Sequence, residues 1–514
     1  MIVVYHKNNQ VVKIIRDSED LMFSSNAVGS ILLRLAKLYP NDLLVWCAIE
    51  LQVSLNTTAF DSIFHHHKIM TSYCTTVEGY LPEAIGYVEE SPFIKINRNI
   101  AFPTWRMSSD VGGIHSSVLL QFERSLSFKG DFNYFLSSVA KVGMPEGLFC
   151  YSEPKLLLEN EVVLSRKCGS SAKLFQFVKQ HYRTRWAFLL FFNVLVYEKK
   201  FPLFSLLRSV LFRNRNQLHI DFTSIEIQSS RKVVALGTID VIIPTIGRKN
   251  YLYDVLKDLA KQTHLPVHVI VVEQNPQEGT ASELDYLKTE SWPFEIKHIF
   301  THQAGVCNAR NVALNEVVSE WVFLADDDNR FEETLLADVM SRIRQYGVFV
   351  ATTSYIQNHE SKVHLKIKQW STFGAGNSFV QKDLLENIRF NTSLEFGYGE
   401  DVDFGMQLRN LGQDVIYLPE PHILHLKAPI GGFRTKPILQ WQNDLIQPKP
   451  SPTVMLSYIL HKTKEQILGY KTILFLKYFK HQKIKNPYRY YSNFKKQWNS
   501  SVFWANQLKE QNEI

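Results

Sequence analysis

Apolar runs alternating with amphipathic stretches organise the second half of this chain. Ile239-Asp240-Val241-Ile242-Ile243-Pro244-Thr245 reads as a buried strand that ends in a Pro-Thr turn, with Gly247 and Arg248 behind it. An amphipathic helix is predicted from about Tyr251 to Gln262. A second apolar run, Val267 to Val272, closes on Glu273-Gln274-Asn275-Pro276. Gly305-Val306-Cys307-Asn308-Ala309-Arg310-Asn311 opens a helix reaching about Val318, and Trp321-Val322-Phe323-Leu324-Ala325 is the next strand. Gly374-Ala375-Gly376-Asn377-Ser378 precedes a strand-like Phe379-Val380. Gly397-Tyr398-Gly399-Glu400-Asp401-Val402-Asp403-Phe404 then begins a helix that carries Arg409. Strands alternating with helices predict an α/β fold with a parallel, doubly wound sheet.

The third strand runs straight into Asp326-Asp327-Asp328. Open α/β sheets bind ligands beyond the carboxyl ends of their strands, which is where this triplet falls. Three adjacent like charges repel, and hard carboxylate oxygens suit Mg²⁺ or Mn²⁺. Asp326 and Asp328 would reach such an ion or its bound water. The competing reading is a solvated loop whose aspartates cap the helix beginning near Glu332.

Taken together, residues of about 238–430 resemble a family 2 glycosyltransferase of the GT-A fold, a Rossmann-like mixed sheet that binds nucleotide-diphospho-sugars. The matching pieces are Pro244-Thr245 with Arg248, Glu273, Ala309-Arg310-Asn311, the aspartate triplet, Gly374–Asn377 and Glu400-Asp401. The resemblance implies a sugar nucleotide as donor, a uridine diphosphate sugar by family frequency, and a Mn²⁺ or Mg²⁺ ion that neutralises the leaving diphosphate. It assigns Asp328 to the metal, Asp326 to the metal and the donor ribose or sugar, and Asp327 to the donor site. Pro244, Thr245 and Arg248 would line the nucleotide pocket, Glu273 would recognise the base, and Arg310 would support the diphosphate. Arg310 read without the family is an ion pair to an acidic strand end.

Inverting transfer also needs a base for the acceptor hydroxyl, a role worth roughly 10²–10⁴-fold in rate. The family's Glu-Asp pair implies Asp401 as that base, with Glu400 aiding acceptor binding or orienting the helix, and Gly376 and Asn377 on the acceptor side. Without the resemblance, both acids would simply favour the helix dipole. Asp403 reads as structural. His425, after the last strand, would face the metal or diphosphate, or else be an ordinary packed histidine. Lys427 and Arg434, flanking Gly431-Gly432, would belong to a loop closing on the donor.

The first half echoes the second. Gly130-Asp131-Phe132, Phe135, Gly143 and Glu153-Pro154 follow the order of Gly399-Glu400-Asp401, Phe404, Gly412 and Glu420-Pro421. Gly112-Gly113-Ile114-His115-Ser116 is laid on Gly374–Ser378, and Leu43–Cys47 leads into Ala48-Ile49-Glu50 where the later copy has three aspartates. A period this long marks a domain duplication. The predicted organisation is a degenerate, non-catalytic GT-A-like domain over 1–160, a helical linker over 161–235, a catalytic domain over 236–434 and a basic, aromatic, helical region over 435–514. His65-His66-His67 reads as a surface loop, since neighbouring side chains cannot all aim at one ion.

A length of 514 residues and 45% apolar content suit two or three domains with full cores. The five cysteines are scattered and fit reduced thiols. No basic, apolar leader is evident at the first residues, so a cytoplasmic location is expected. The run Trp186–Tyr197 is too short to span a bilayer, and with Phe201–Phe212 it reads as helices packed between the domains rather than lying on lipid. The net charge of +7 concentrates after Thr435, in lysines interleaved with aromatics. That mixture suits an anionic membrane surface and peripheral attachment, or a solvated basic face. No nucleic-acid motif accompanies it. Two function classes follow: an inverting, metal-dependent glycosyltransferase acting on a glycan or lipid-linked acceptor in cell-surface polysaccharide assembly, or a catalytically silent scaffold derived from one. The intact acids of the second copy favour the enzyme.

Overall fold

The computed structural model describes residues 1–22, 27–76, 79–158, 163–164, 168–429 and 438–512. It divides into two compact units, Met1–Arg231 with Thr463–Leu474 and Lys232–Lys462 with Phe475–Ile514. The expected boundaries shift accordingly. Residues 161–235 are not a linker, because Phe175, Phe177, Leu190, Ile220 and Phe222 join the main core of the first unit. The C-terminal region is shared, its Thr463–Leu474 portion falling in the first unit.

The first unit is built on β1 (Ile2–Lys7), β2 (Gln10–Arg16), β3 (Glu19–Asp20), β4 (Leu43–Ala48), β5 (Ile69–Tyr73), β6 (Phe102–Pro103), β7 (Val111–His115) and β8 (Phe149–Ser152), in the order β3-β2-β1-β4-β7-β5-β8-β6. The central strands are apolar on both faces, because successive side chains point to opposite sides. Ile2, Val4, Leu44 and Trp46 enter one core. Val3, Tyr5, Val45 and Cys47 enter another. Each such side chain stabilises the fold by about 1.5–3 kcal/mol. His65 and His66 are buried rather than in a surface loop. Burial holds the His65 imidazole down to about 3.

The second unit contains β9 (Ile239–Thr245), β10 (His268–Gln274), β11 (Glu295–Thr301), β12 (Trp321–Ala325), β13 (Asn329–Arg330), β14 (Val350–Ile356), β15 (Lys368–Gln369), β16 (Asn377–Gln381) and β17 (Ile416–His425). Their order is β11-β10-β9-β12-β16-β14-β17-β13, with β15 on β17. The sheet is mixed rather than wholly parallel, since β16 runs antiparallel to β12 with Ala325 opposite Asn377. Antiparallel pairing brings the loop that enters β16 to the carboxyl end of β12, so Gly374–Gly376 lies beside the aspartates. The helix Lys249–Ala260 buries Leu252, Val255, Leu256 and Leu259, the i, i+3, i+4, i+7 stripe of an amphipathic helix.

The two sheets share a pattern. β1-β4-β7-β5-β8 and β9-β12-β16-β14-β17 have the same sequence of parallel and antiparallel pairings. The ladders coincide when Leu43–Cys47 is laid on Trp321–Ala325, which sets Val111–His115 on Asn377–Gln381. Gly112 therefore corresponds to Ser378, not to Gly374 as the glycine pattern suggested. Beyond β1 the units diverge: β2 is antiparallel to β1, whereas β10 is parallel to β9.

Candidate active site

Asp326 leaves β12 and meets the loop that enters β16. Its Oδ1 accepts from Arg310 Nη2 at 2.9 Å. A Cβ on Gly376 would lie 2.2 Å from its Oδ2, a distance only glycine permits. The Tyr355 hydroxyl is 3.1 Å from the same Oδ2 and 2.7 Å from Asn329 Oδ1, its one proton serving one acceptor at a time. Asn329 Nδ2 in turn donates to the Gly376 carbonyl at 2.7 Å. Loop, triplet and β14 are thereby tied together.

The other two aspartates are buried, which rules out a solvated loop. Asp327 accepts from Thr245 Oγ1 at 2.7 Å and Arg248 Nη1 at 2.6 Å. Burial pushes its carboxyl up to about 6, against the pull of Arg248. Asp328 accepts from the Ala428 N–H at 2.8 Å, and Arg248 Nη1 stands 3.4 Å from it. Burial would raise this carboxyl too, but His425, the Ala428 N–H and Arg248 together hold it below the usual aspartate range. Its Oδ1 is buried without a hydrogen bond, and His425 Nε2 lies 3.5 Å away. The His425 ring stacks on Tyr355 with centroids 4.5 Å apart.

The second acidic cluster opens the helix Glu400–Asn410, entered through Gly399 at φ +118°. Asp401 Oδ1 accepts from the Ala375 N–H at 3.3 Å. Asp401 and Asp326 are thus held against consecutive residues, Ala375 and Gly376. Burial foremost, then Glu400, push Asp401 up to about 7, with Arg310 opposing and Asp326 adding to the rise. Glu400 is likewise raised by burial and lowered by Arg310. Arg310 itself is buried, its guanidinium 5.2 Å over the Phe390 ring. One cation is placed to feel both clusters, and the two meet at the Ala375-Gly376 loop.

The sequence model of the family described as Glycosyl transferase family 2 matches residues 240–399. The chain carries a family 2 glycosyltransferase domain. Among its relatives is the glycosyltransferase GlyA of Streptococcus pneumoniae, 20% identical over 46% of this chain and 37% of that protein. Another is the GalNAc(5)-diNAcBac-PP-undecaprenol beta-1,3-glucosyltransferase of Campylobacter jejuni, 25% identical over 33% of this chain and 59% of the relative. The chain therefore spans less than two thirds of the length of these curated relatives. Among solved structures, S. aureus TarS 1-349 in complex with UDP-GlcNAc is 18% identical, covering 47% of this chain and 73% of that one at a TM-score of 0.35.

Within the glycosyltransferase domain, several expected site residues face inward. Pro244 is buried in β9 opposite Val272, and Thr245 and Arg248 hold Asp327. Glu273 accepts from Ser282 Oγ at 2.5 Å, the Glu283 N–H at 3.1 Å and His298 Nε2 at 2.9 Å, so its carboxylate organises the loop after β10. Asn377 directs its amide at the Thr353 carbonyl, 2.5 Å away. Asp403 is a structural acceptor for Gln407 Nε2 and His461 Nε2, both at 2.7 Å. Lys427 is exposed. Gly431, Gly432, Phe433 and Arg434 lie outside the described residues. Sequence reasoning missed Tyr355, Asn329 and Glu395. The last accepts from the N–H groups of Cys307 and Asn308 at 3.0 and 2.9 Å, capping the helix Val306–Leu314. An acidic residue a few positions before a Glu-Asp pair was its only signal.

Proposed function

We propose that the second unit transfers a sugar, with inversion, from a nucleoside diphosphate donor to a glycan or lipid-linked acceptor in cell-surface polysaccharide assembly. The observation that carries this reading is the convergence of Asp326 and Asp401 on Ala375-Gly376, with Arg310 in reach of both. A charge-neutralising donor side and a proton-accepting acceptor side are what displacement at a sugar carbon requires. Asp401, titrating near neutrality, suits the base, because a base is most effective with its pKa close to the working pH. Burial, and then repulsion from Glu400, hold that pKa up, while Arg310 draws both acids back toward ionisation and faces the diphosphate. Thr245 and Arg248 orient the triplet through Asp327, and the loop held by Glu273 walls the base pocket.

The donor set fits a divalent ion in part. Asp328 Oδ1 is a buried acceptor with nothing bonded to it and His425 Nε2 is beside it. Among the described residues no three His, Cys, Asp or Glu side chains are grouped to hold an ion alone. Two protein donors suffice where phosphate oxygens and water complete the shell, as is usual for Mg²⁺. Bound there, Mg²⁺ or Mn²⁺ would supply Lewis-acid neutralisation of the leaving diphosphate.

The undecaprenol-linked substrate in the Campylobacter relative's name supports a lipid-linked acceptor here. The TarS complex carries UDP-GlcNAc, and a uridine diphosphate sugar is the donor proposed. The first unit is read as a non-catalytic relative, since Ala48 and Ile49 replace acids and Phe132, packed on Trp46 and His6, stands at the base position. The test is Asp401→Asn with a panel of nucleotide sugars and Mn²⁺. Nucleotide binding should persist by thermal shift while transfer collapses, and a variant turning over at the wild-type rate would place the base elsewhere.

A further inference from the structure

Within residues 183–213, the segments Trp186–Tyr197 and Phe201–Phe212 were expected to pack between the domains, yet several of their large apolar side chains are exposed. The helix Arg185–Asn193 turns Ala187, Leu190 and Asn193 inward. Asn193 Oδ1 accepts from Thr472 Oγ1 at 2.6 Å, fixing that orientation. Phe188, Phe192 and Leu195 occupy the opposite stripe and are exposed. The helix Leu203–Val210 repeats the arrangement. Leu206 and Ser209 face in, while Phe204 at 87%, Leu207 at 57% and Leu211 at 84% face out. Phe201, 65% exposed, meets Phe191 edge-on with ring centroids 5.5 Å apart, a contact between the first helix and the Lys199–Pro202 turn that enters the second.

Leaving this many large apolar side chains in water, each costing about 1.5–3 kcal/mol relative to burial, calls for a partner. Charge identifies its chemistry. The stretch carries Arg183, Arg185, Lys199, Lys200, Arg208 and Arg213 against one acid, Glu198. All six basic residues are exposed at the ends of the helices or beside the apolar stripes. A protein groove would supply specific counter-groups, whereas an anionic bilayer surface accepts aromatic and aliphatic side chains below its headgroups and cations among them. Among the described residues no helix is long and apolar enough to cross a membrane, so the geometry is one of lying in the interface.

We propose that the paired helices of residues 185–211 dock the protein on anionic lipid by inserting Phe188, Phe192, Phe201, Phe204, Leu207 and Leu211. In the C-terminal basic region Tyr490, Phe494 and Trp498 are buried, while Leu476, Tyr488, Tyr491 and Phe503 are exposed, so the test includes a charge reversal there.

Sedimentation of the full chain with phosphatidylcholine–phosphatidylglycerol vesicles tests this, and needs no donor or acceptor, so its failure leaves the transferase reading intact. Phe204→Glu with Leu211→Glu should weaken vesicle binding by about ten-fold or more. The loss should persist in about 0.5 M NaCl, where exposed charges are screened within a few ångströms. Leu207→Ser with Val210→Ser should give a smaller loss in the same direction. Lys495→Glu with Lys496→Glu should leave salt-resistant binding in place. Wild-type vesicle binding by both apolar variants, with circular dichroism unchanged, would overturn the proposal. So would retained vesicle binding accompanied by loss of self-association in light scattering, which would make this face a contact between copies.

Discussion

Replacing Asp401 by asparagine should stabilise the protein while it disables transfer. The carboxyl is pushed from the ordinary 3.8 to about 7 by burial and by the neighbouring Glu400. A native pKa above the unfolded one means the folded state holds the proton more tightly. The associated stability is therefore complete below about pH 4 and is lost as pH rises through about 7. Three units at about 1.36 kcal/mol each set a ceiling of roughly 4 kcal/mol. Because Glu400 shares the titration, about 1–3 kcal/mol is the expected gain for the variant above pH 7. The asparagine amide oxygen can still accept the Ala375 N–H, so the loop need not move. Differential scanning calorimetry of the second unit's transition should show matching curves below about pH 4, where the side chain is protonated in both the folded and the unfolded state. Near pH 8 the variant should melt higher by about 2–4 °C per kcal/mol. Superimposable melts at both pH values, or a variant that melts lower at pH 8, would refute the argument that Asp401 is held charged at a cost.

Three further outcomes are expected. Gly376→Ala should drive the Asp326 carboxylate away from Arg310 and Tyr355, lowering kcat/KM by about 100-fold and costing about 1–3 kcal/mol of overpacking; unchanged kinetics would mean the position of Asp326 is immaterial. Asp328→Ala should abolish the Mn²⁺-dependent part of nucleotide binding in calorimetry, as chelation of the ion should in the wild type, and an unaltered affinity would remove Asp328 as a ligand. Glu50→Ala should leave nucleotide affinity nearly as it is. A marked loss would show that the first unit binds nucleotide.

The strands Ile239–Thr245 and Trp321–Ala325 were legible to the residue, because central strands covered on both faces read as unbroken apolar runs. β11 was not. Its Glu-Ile-Lys-His-Ile-Phe-Thr pattern is that of an edge strand, half-buried throughout. The acidic motifs marked the site, but their supports were hidden. Tyr355 meets Asp326, and Asn329 meets Tyr355 and the Gly376 carbonyl, around the antiparallel entry of β16, a pairing that no local periodicity encodes. Thr245 and Arg248 were visible as neighbours of a nucleotide pocket, yet hydrogen-bonding geometry turns them to Asp327. The glycine echo between the halves misled by four residues, since strand register, not composition, sets which positions correspond.

The β2–β3 hairpin carries a lesson for engineering. In the proposed donor site a nucleoside would lie against the ends of β9 and its parallel neighbours, whereas the matching flank of the first unit is an antiparallel ribbon. Grafting aspartates onto Ala48 and Ile49 would restore a charge pattern without restoring the wall behind it. On the proposed reading of the first unit as non-catalytic, giving it such a wall would demand a new crossover of strand and helix, which no handful of point changes supplies.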